Sequence, residues 1–216
     1  MKKLHKRLRL WFHGLHPTHA LMVGYALYVI IVFLLLCLPI CWKTNWISPM
    51  DNLFVAVSVI STSGLTTVDT TKVYNIFGQL IILAGIQIGG LGYMTIGSYA
   101  ILASKGHLSK NRINIGKAVL AMPESFEPVR FLRHIIVFTF TIELFGSLIL
   151  WQAFTEAGIP NPLWTAVFHS VAAFCTAGFS TFSNNLEAFS GNTKISLVVS
   201  ILSLLGAIGF IVLDDL

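Results

Sequence analysis

Two short runs in this 216-residue chain carry side chains small enough to leave the backbone free: Ser61-Thr62-Ser63-Gly64-Leu65 and Cys175-Thr176-Ala177-Gly178-Phe179. Such a run can turn sharply, because glycine reaches positive φ without a steric cost. Turned inward, its carbonyl oxygens can replace the hydration shell of an alkali cation. The candidate cation-binding residues are Thr62, Ser63, Gly64 and Leu65 in the first run and Thr176, Ala177, Gly178 and Phe179 in the second. Glu143 is the one acid deep inside a long apolar stretch. An acid at such a position is a candidate for transport chemistry, or else a protonated or hydrogen-bonded helix contact. His169 reads as a structural hydrogen-bonding residue, since no second His or Cys stands at metal-ligand spacing from it. Cys37, Cys41 and Cys175 make no disulfide framework and read as small apolar residues in helix contacts. No phosphate-binding Gly loop with a Lys, no HExxH and no nucleophile elbow occurs, so the chain reads as no enzyme, with no cofactor of its own and no metal beyond the alkali cation.

The elements that must position these runs are set by lipid. The chain is 55% hydrophobic and 11% charged, where a soluble domain carries about 25% charged residues. Its mean hydropathy is +0.78. Four stretches approach the roughly 20 apolar residues that cross a bilayer: 20–40, 74–102, about 131–154 and about 195–213. The first follows a basic segment but lacks the cleavage pattern of a signal peptide. The net charge of +5 is topological and does not point to nucleic acid. Lys2, Lys3, Lys6, Arg7 and Arg9 precede the first span, and Lys105, Lys110, Arg112, Lys117, Arg130 and Arg133 lie between the second and third. The positive-inside rule therefore makes the N-terminus cytoplasmic and turns the other two loops outward.

Each outward loop holds an apolar run too short to span. Ser48-Pro49 and Asn161-Pro162 suit the cap and first turn of helices ending at the two small-residue runs. Gly64 aligns with Gly178, Thr62 with Thr176, Leu65 with Phe179 and Thr67 with Thr181. Further on, Ile88-Gly89-Gly90-Leu91-Gly92-Tyr93 aligns with Leu205-Gly206-Ala207-Ile208-Gly209-Phe210. The expected organisation is a basic cytoplasmic N-terminus (1–19), one helix–pore loop–helix repeat (20–103), a cytoplasmic connector (104–129) and a second, parallel repeat (130–216). The connector is expected to lie near the membrane surface, as a plain loop or as a docking segment. A half-helix entering from outside aims its negative dipole end at the membrane middle, which favours a cation there. The plainer alternative is an interfacial helix with Gly64 and Gly178 as C-caps. Gly85, Gly89, Gly92, Gly206 and Gly209 read first as small-residue packing faces and second as hinges.

At these residues the sequence resembles the Trk/Ktr/HKT superfamily of potassium transporters, most closely the membrane subunit of bacterial Ktr systems. The matching passages are Ser61 to Leu65 with Val68-Asp69-Thr70, Gln87 to Thr95, Phe168-His169-Ser170, Ala173-Phe174, Ala177-Gly178-Phe179-Ser180 and Gly209-Phe210. The resemblance implies an all-α membrane protein with potassium-channel-like helix–pore loop–helix repeats, two in this chain. It implies a filter at Thr62–Leu65 and Thr176–Phe179, potassium as substrate with or without sodium linkage, a homodimer in the cell's inner or plasma membrane, and a cytoplasmic nucleotide-binding regulatory ring. This sequence departs from the family in two respects. Only two of four repeats are present, so the chain is expected to be the N-terminal half of a longer protein or to need a second chain for its four loops. Cys175-Thr176 stands where the family often has two asparagines.

The expected function is potassium uptake through the filter, gated by the cytoplasmic partner. The competing readings are a non-conducting membrane scaffold and a proton-coupled small-solute carrier using Glu143.

Overall fold

The computed structural model describes residues 17–44, 46–92 and 128–208. The basic N-terminal residues, the far end of the second expected span, nearly all of the connector, and Gly209 to Leu216 lie outside the described residues. The elements are α1 (Pro17–Leu36), a 3-10 turn (Pro39–Cys41), α2 (Pro49–Ile60), α3 (Thr70–Val73), α4 (Ile76–Leu91), α5 (Pro128–Glu156), α6 (Pro162–Phe174), a 3-10 turn (Glu187–Phe189) and α7 (Thr193–Ala207). Among the described residues there is no strand, only one isolated antiparallel bridge between Trp42 and Tyr74.

Local chemistry fixes most of the helix starts. Ser48 Oγ accepts the Met50 N–H at 3.3 Å, and Pro49 fills the first position of α2, where its missing N–H costs nothing. Asn75 Oδ1 takes the N–H groups of Phe77 (2.9 Å) and Gly78 (3.3 Å), so α4 starts at Ile76 rather than at Tyr74. Asn192 Oδ1 takes the Ile195 N–H at 3.2 Å and starts α7. Asn161 behaves differently from the sequence expectation. Its φ is 52° and its side chain caps nothing, because N-capping requires an extended backbone. α5 begins at Pro128, inside the expected connector, since proline is admitted at a first turn.

α2 packs between α1 and α4, α6 packs between α5 and α7, and α4 also packs on α6. The main core gathers Val55, Val59 and Ile60 of α2, Ile82 and Ile86 of α4, and Phe168 and Phe174 of α6. The outer faces are apolar too: Ile30, Ile31 and Leu34 of α1 and Phe140, Leu144 and Phe145 of α5 are exposed. In water that surface would be a liability; against lipid tails it is an ordinary exterior. Among the described residues one helix segment, Arg133–Glu156, is long and apolar enough to cross a membrane. α2 and α6, of 12 and 13 residues, reach only about 18–20 Å at 1.5 Å per residue. That is short of a hydrocarbon core of about 30 Å.

The two units repeat one contact closely. A Cβ on Gly89 would overlap the carbonyl oxygen of Ile60, the last residue of α2. A Cβ on Gly206 would overlap the carbonyl oxygen of Phe174, the last residue of α6. In both units, glycine lets the following long helix seat on the end of the short one.

Candidate cation site

Both short helices close in the same way. After α2, the Thr62 N–H donates to Val59 O (3.3 Å) and the Ser63 N–H to Ser58 O (3.1 Å). After α6, the Thr176 N–H donates to Ala173 O (3.0 Å) and the Ala177 N–H to Ala172 O (2.8 Å). This is the Schellman pattern, which usually places glycine at its left-handed residue. Here the left-handed residues are threonines: Thr62 at φ 50° and Thr176 at φ 51°. A β-branched residue there is a true outlier, costing on the order of 1–3 kcal/mol. Each threonine hydroxyl donates back to the preceding carbonyl, Thr62 Oγ1 to Ser61 O and Thr176 Oγ1 to Cys175 O, both at 2.8 Å. The glycines are therefore not the caps. They come two residues later, again left-handed, Gly64 at φ 73° and Gly178 at φ 68°.

The two turns meet. A Cβ on Gly64 would lie 2.7 Å from Ala177 O and 3.0 Å from Gly178 Cα. Backbone approaches backbone here, and both φ and proximity require glycine. Among the described residues no donor is bonded to the carbonyl oxygens of Thr62, Ser63, Gly64, Thr176 or Ala177. That of Gly178 accepts from Asn185 Nδ2 at 2.9 Å. Such carbonyls, at the negative ends of two helix dipoles, can attract a cation and offer it oxygen ligands. The flanking residues differ in setting: Leu65 is 64% exposed and Phe179 is 4% exposed.

Glu143 lies behind the second turn rather than in it. It is buried, its Oε2 accepts from Gln87 Nε2 at 3.1 Å, and Ser170 Oγ donates to its main-chain carbonyl at 2.7 Å. Gln87 Oε1 in turn lies 3.8 Å from Cys175 Sγ. Glu143 Oε1 and Thr139 Oγ1, one helical turn apart, are buried without a hydrogen-bond partner among the described residues. His169 is bonded at both ring nitrogens, to Thr165 O (2.8 Å) and Ser180 Oγ (2.9 Å). The structure thus brings Gly64 against Ala177 and Gly178, while Glu143 and His169 make their hydrogen bonds outside the two turns. Sequence reasoning gave no role to Gln87, Ser180 or Asn185; the available signal was Gln87 itself, one of two amides, with Gln79, in a mostly apolar helix.

The segments that follow the two turns are also tied to each other. Asp69 caps α3, accepting from the Thr71 N–H (3.0 Å) and Thr71 Oγ1 (2.5 Å). Thr71 Oγ1 meets Ser183 Oγ at 3.1 Å, and Lys72 Nζ lies 3.1 Å from Asp69 Oδ2. Burial works against the Asp69 charge, but the hydrogen bonds from Thr71, Ser183 and Lys72 outweigh it. They hold the carboxyl well below the usual carboxylate range.

Comparison with known proteins shows the family. Residues 18–216 match the family model TrkH, described as a cation transport protein. The chain is 34% identical over 200 residues to Ktr system potassium uptake protein B of Bacillus subtilis, an overlap that covers 92% of this chain and 45% of that protein. It is 31% identical to the potassium/sodium uptake protein NtpJ of Enterococcus hirae, covering 100% of this chain and 48% of the relative. Ktr system potassium uptake protein D of Bacillus subtilis is 30% identical, over 94% of this chain and 46% of its own length. The chain spans about half the length of these relatives. With the family model covering all but the first residues, the chain belongs to the TrkH cation transport protein family.

Proposed function

We propose that this chain forms half the wall of a potassium-selective path through a membrane, with Thr62–Leu65 and Thr176–Phe179 as two of its filter turns. The observation that carries the reading is the pair of matching left-handed turns at Thr62–Gly64 and Thr176–Gly178, which touch at Gly64 and, among the described residues, leave every carbonyl but that of Gly178 without a donor. The relatives' names, potassium uptake proteins, supply the cation. The helix ends aimed at the turns favour a cation over an anion.

Two turns make half of a four-sided filter, and the repeats themselves support a second pair. Phe168 and Val171 of α6 are buried, 2% and 9% exposed, where α4 of the preceding repeat lies against them. Their counterparts in α2, Phe54 and Val57, are the same residue types and are 42% and 44% exposed. At the other end, Leu204 of α7 is the counterpart of Gln87 and is 62% exposed. The face open on α2 is the face that α4 covers on α6, and α7 presents the counterpart of α4. A further pair of repeats, from the same protein or from a second copy, fits both edges. The outward direction of the turns, assembly as a homodimer, linkage to sodium and gating by a cytoplasmic nucleotide-binding ring belong to the same proposal. A relative named for potassium and sodium supports the sodium linkage, and others named as proteins of a system support work with further components.

The test is potassium uptake by the complete protein in cells that lack their own. Gly64→Val and Gly178→Val should abolish it while the protein remains in the membrane at the parental level. Unchanged uptake would overturn the filter assignment. A second reading, a proton-coupled carrier, is favoured by the unpartnered Oε1 of Glu143; it requires that Glu143→Gln stop transport.

A further inference from the structure

We propose that His169 is a positioning residue for the second turn alone: its imidazole clamps the Ser180–Phe182 segment, just past Gly178, onto α6, and so fixes the carbonyl spacing on which cation discrimination depends. The inference rests on the filter reading above. Its geometry is a directional chain. The Phe182 N–H donates to Ser180 Oγ at 2.9 Å. Ser180 Oγ meets His169 Nε2 at 2.9 Å, and His169 Nδ1 meets Thr165 O at 2.8 Å. A carbonyl only accepts, so Nδ1 carries the proton. In the neutral ring Nε2 is then the acceptor, and the Ser180 hydroxyl donates to it.

The surroundings make this chain stiff. His169 is 2% exposed. The Phe182 ring stacks on it at 5.1 Å and 28°, with Phe154 at 5.6 Å and Phe168 at 6.1 Å. With water excluded, an unmade bond at either nitrogen is costly, so the ring has one stable pose. Above it, Asn185 Nδ2 holds the Gly178 carbonyl. The second turn is therefore held from behind and from outside.

The first turn lacks this clamp. With Gly64 aligned to Gly178, the counterparts of His169 and Ser180 are Val55 and Thr66, and a valine side chain offers no hydrogen bond. The first turn is tied differently: Ser63 Oγ meets Ser58 Oγ of α2 at 3.0 Å and accepts from Ser61 Oγ at 3.3 Å, and Thr67 Oγ1 donates to Asp51 Oδ1 at 2.7 Å. Two backbones of the same shape are thus held at different points, the first through Ser63 and Thr67 and the second through His169 and Ser180.

The experiment compares His169→Leu, His169→Gln and Ser180→Ala in the complete protein. It measures the ratio of potassium to sodium flux in liposomes, normalised to folded protein by size-exclusion chromatography. His169→Leu and Ser180→Ala should each lower the ratio about tenfold, the equivalent of one buried hydrogen bond of roughly 1.4 kcal/mol. The double variant should be no worse than either, because both remove one link. His169→Gln, whose amide oxygen can still accept from Ser180, should stay within about threefold, as a retained link predicts. A parental ratio in folded Ser180→Ala overturns the proposal. Should His169→Leu fail to accumulate, Ser180→Ala and His169→Gln carry the same contrast. Imidazole nitrogen NMR of the parental protein gives an independent reading. The signal lost in His169→Gln must report a neutral ring protonated at Nδ1, and a proton on Nε2 overturns the clamp. If the parental protein passes no potassium, the filter reading fails, while the NMR result still decides the clamp.

Discussion

Gln87 donates its side-chain N–H to Glu143 Oε2 at 3.1 Å, joining α4 of the first repeat to α5 of the second within the apolar interior. Glu143 Oε1 has no partner, so the bond to Gln87 is the side chain's one polar contact among the described residues. Glu143→Gln keeps an acceptor for Gln87, and transport should continue at the parental rate. Glu143→Leu strands the Gln87 amide and should destabilise the protein by about 1–3 kcal/mol. Thermal unfolding in detergent, read beside uptake, checks both. Lost transport in a stable Glu143→Gln protein would show that the acid itself is needed.

Thr62 and Thr176 hold left-handed backbone that glycine would hold without strain. Thr62→Gly or Thr176→Gly relieves about 1–2 kcal/mol of steric cost. It gives back about 0.5–1 kcal/mol in chain entropy and loses the hydroxyl's bond to the preceding carbonyl. Stability should change by less than about 1 kcal/mol on that balance, while potassium over sodium discrimination falls. Melting temperature and flux ratio, measured on the same samples, separate the two effects.

Gly89→Ala and Gly206→Ala both place a methyl group against a backbone carbonyl that cannot step aside. Each should cost about 1–3 kcal/mol, as overpacking does. Gly191→Ala, which meets nothing within 4 Å, is the control and should stay within about 0.5 kcal/mol. The midpoint of thermal unfolding, compared across the three, is the measurement.

Asp69 links the segments that follow the two turns through Thr71 and Ser183. Its folded carboxyl sits below the usual range, against an unfolded value of about 3.9. A lowered folded pKa means the stabilisation is complete above the unfolded value and fades as pH falls toward the folded one. The melting-temperature gap between the parental protein and Asp69→Asn should therefore be flat from about pH 8 to pH 5 and narrow below about pH 4. A gap that widens on acidification would refute this account of the link.

The sequence made the short helices and their repetition legible because their signals are local. Ser48-Pro49 marks a start, and a dozen apolar residues followed by small ones mark an end. The glycines at 89 and 206 were legible as packing positions because small-residue faces have few other uses in lipid. The cap residues were not legible. Glycine is the ordinary left-handed residue, so Gly64 and Gly178 drew the reading that belongs to Thr62 and Thr176. Only the paired hydrogen bonds to Ser58 and Ala172 reveal the shift. The bond from Gln87 to Glu143 and that from Ser180 to His169 were hidden for another reason. Each joins residues whose proximity depends on how helices are docked, and helix docking leaves no periodic mark in the sequence. Asn161 looked like a cap by type, but the backbone ahead of Pro162 is left-handed there.

The exposed Phe54 and the buried Phe168 carry one more consequence. If the proposed second pair of repeats completes the wall, the unlike edges of α2 and α7 meet in a head-to-tail joint rather than a self-matching one. Such a joint closes into a ring after a fixed number of units or runs on without end. The rotation from one unit to the next is set where they touch, at Gln79 against Trp164 (2.7 Å) and at Thr71 against Ser183. The bore of the ring is then decided at its seams. In the proposed filter, a substitution at Trp164 should therefore change how wide the passage is.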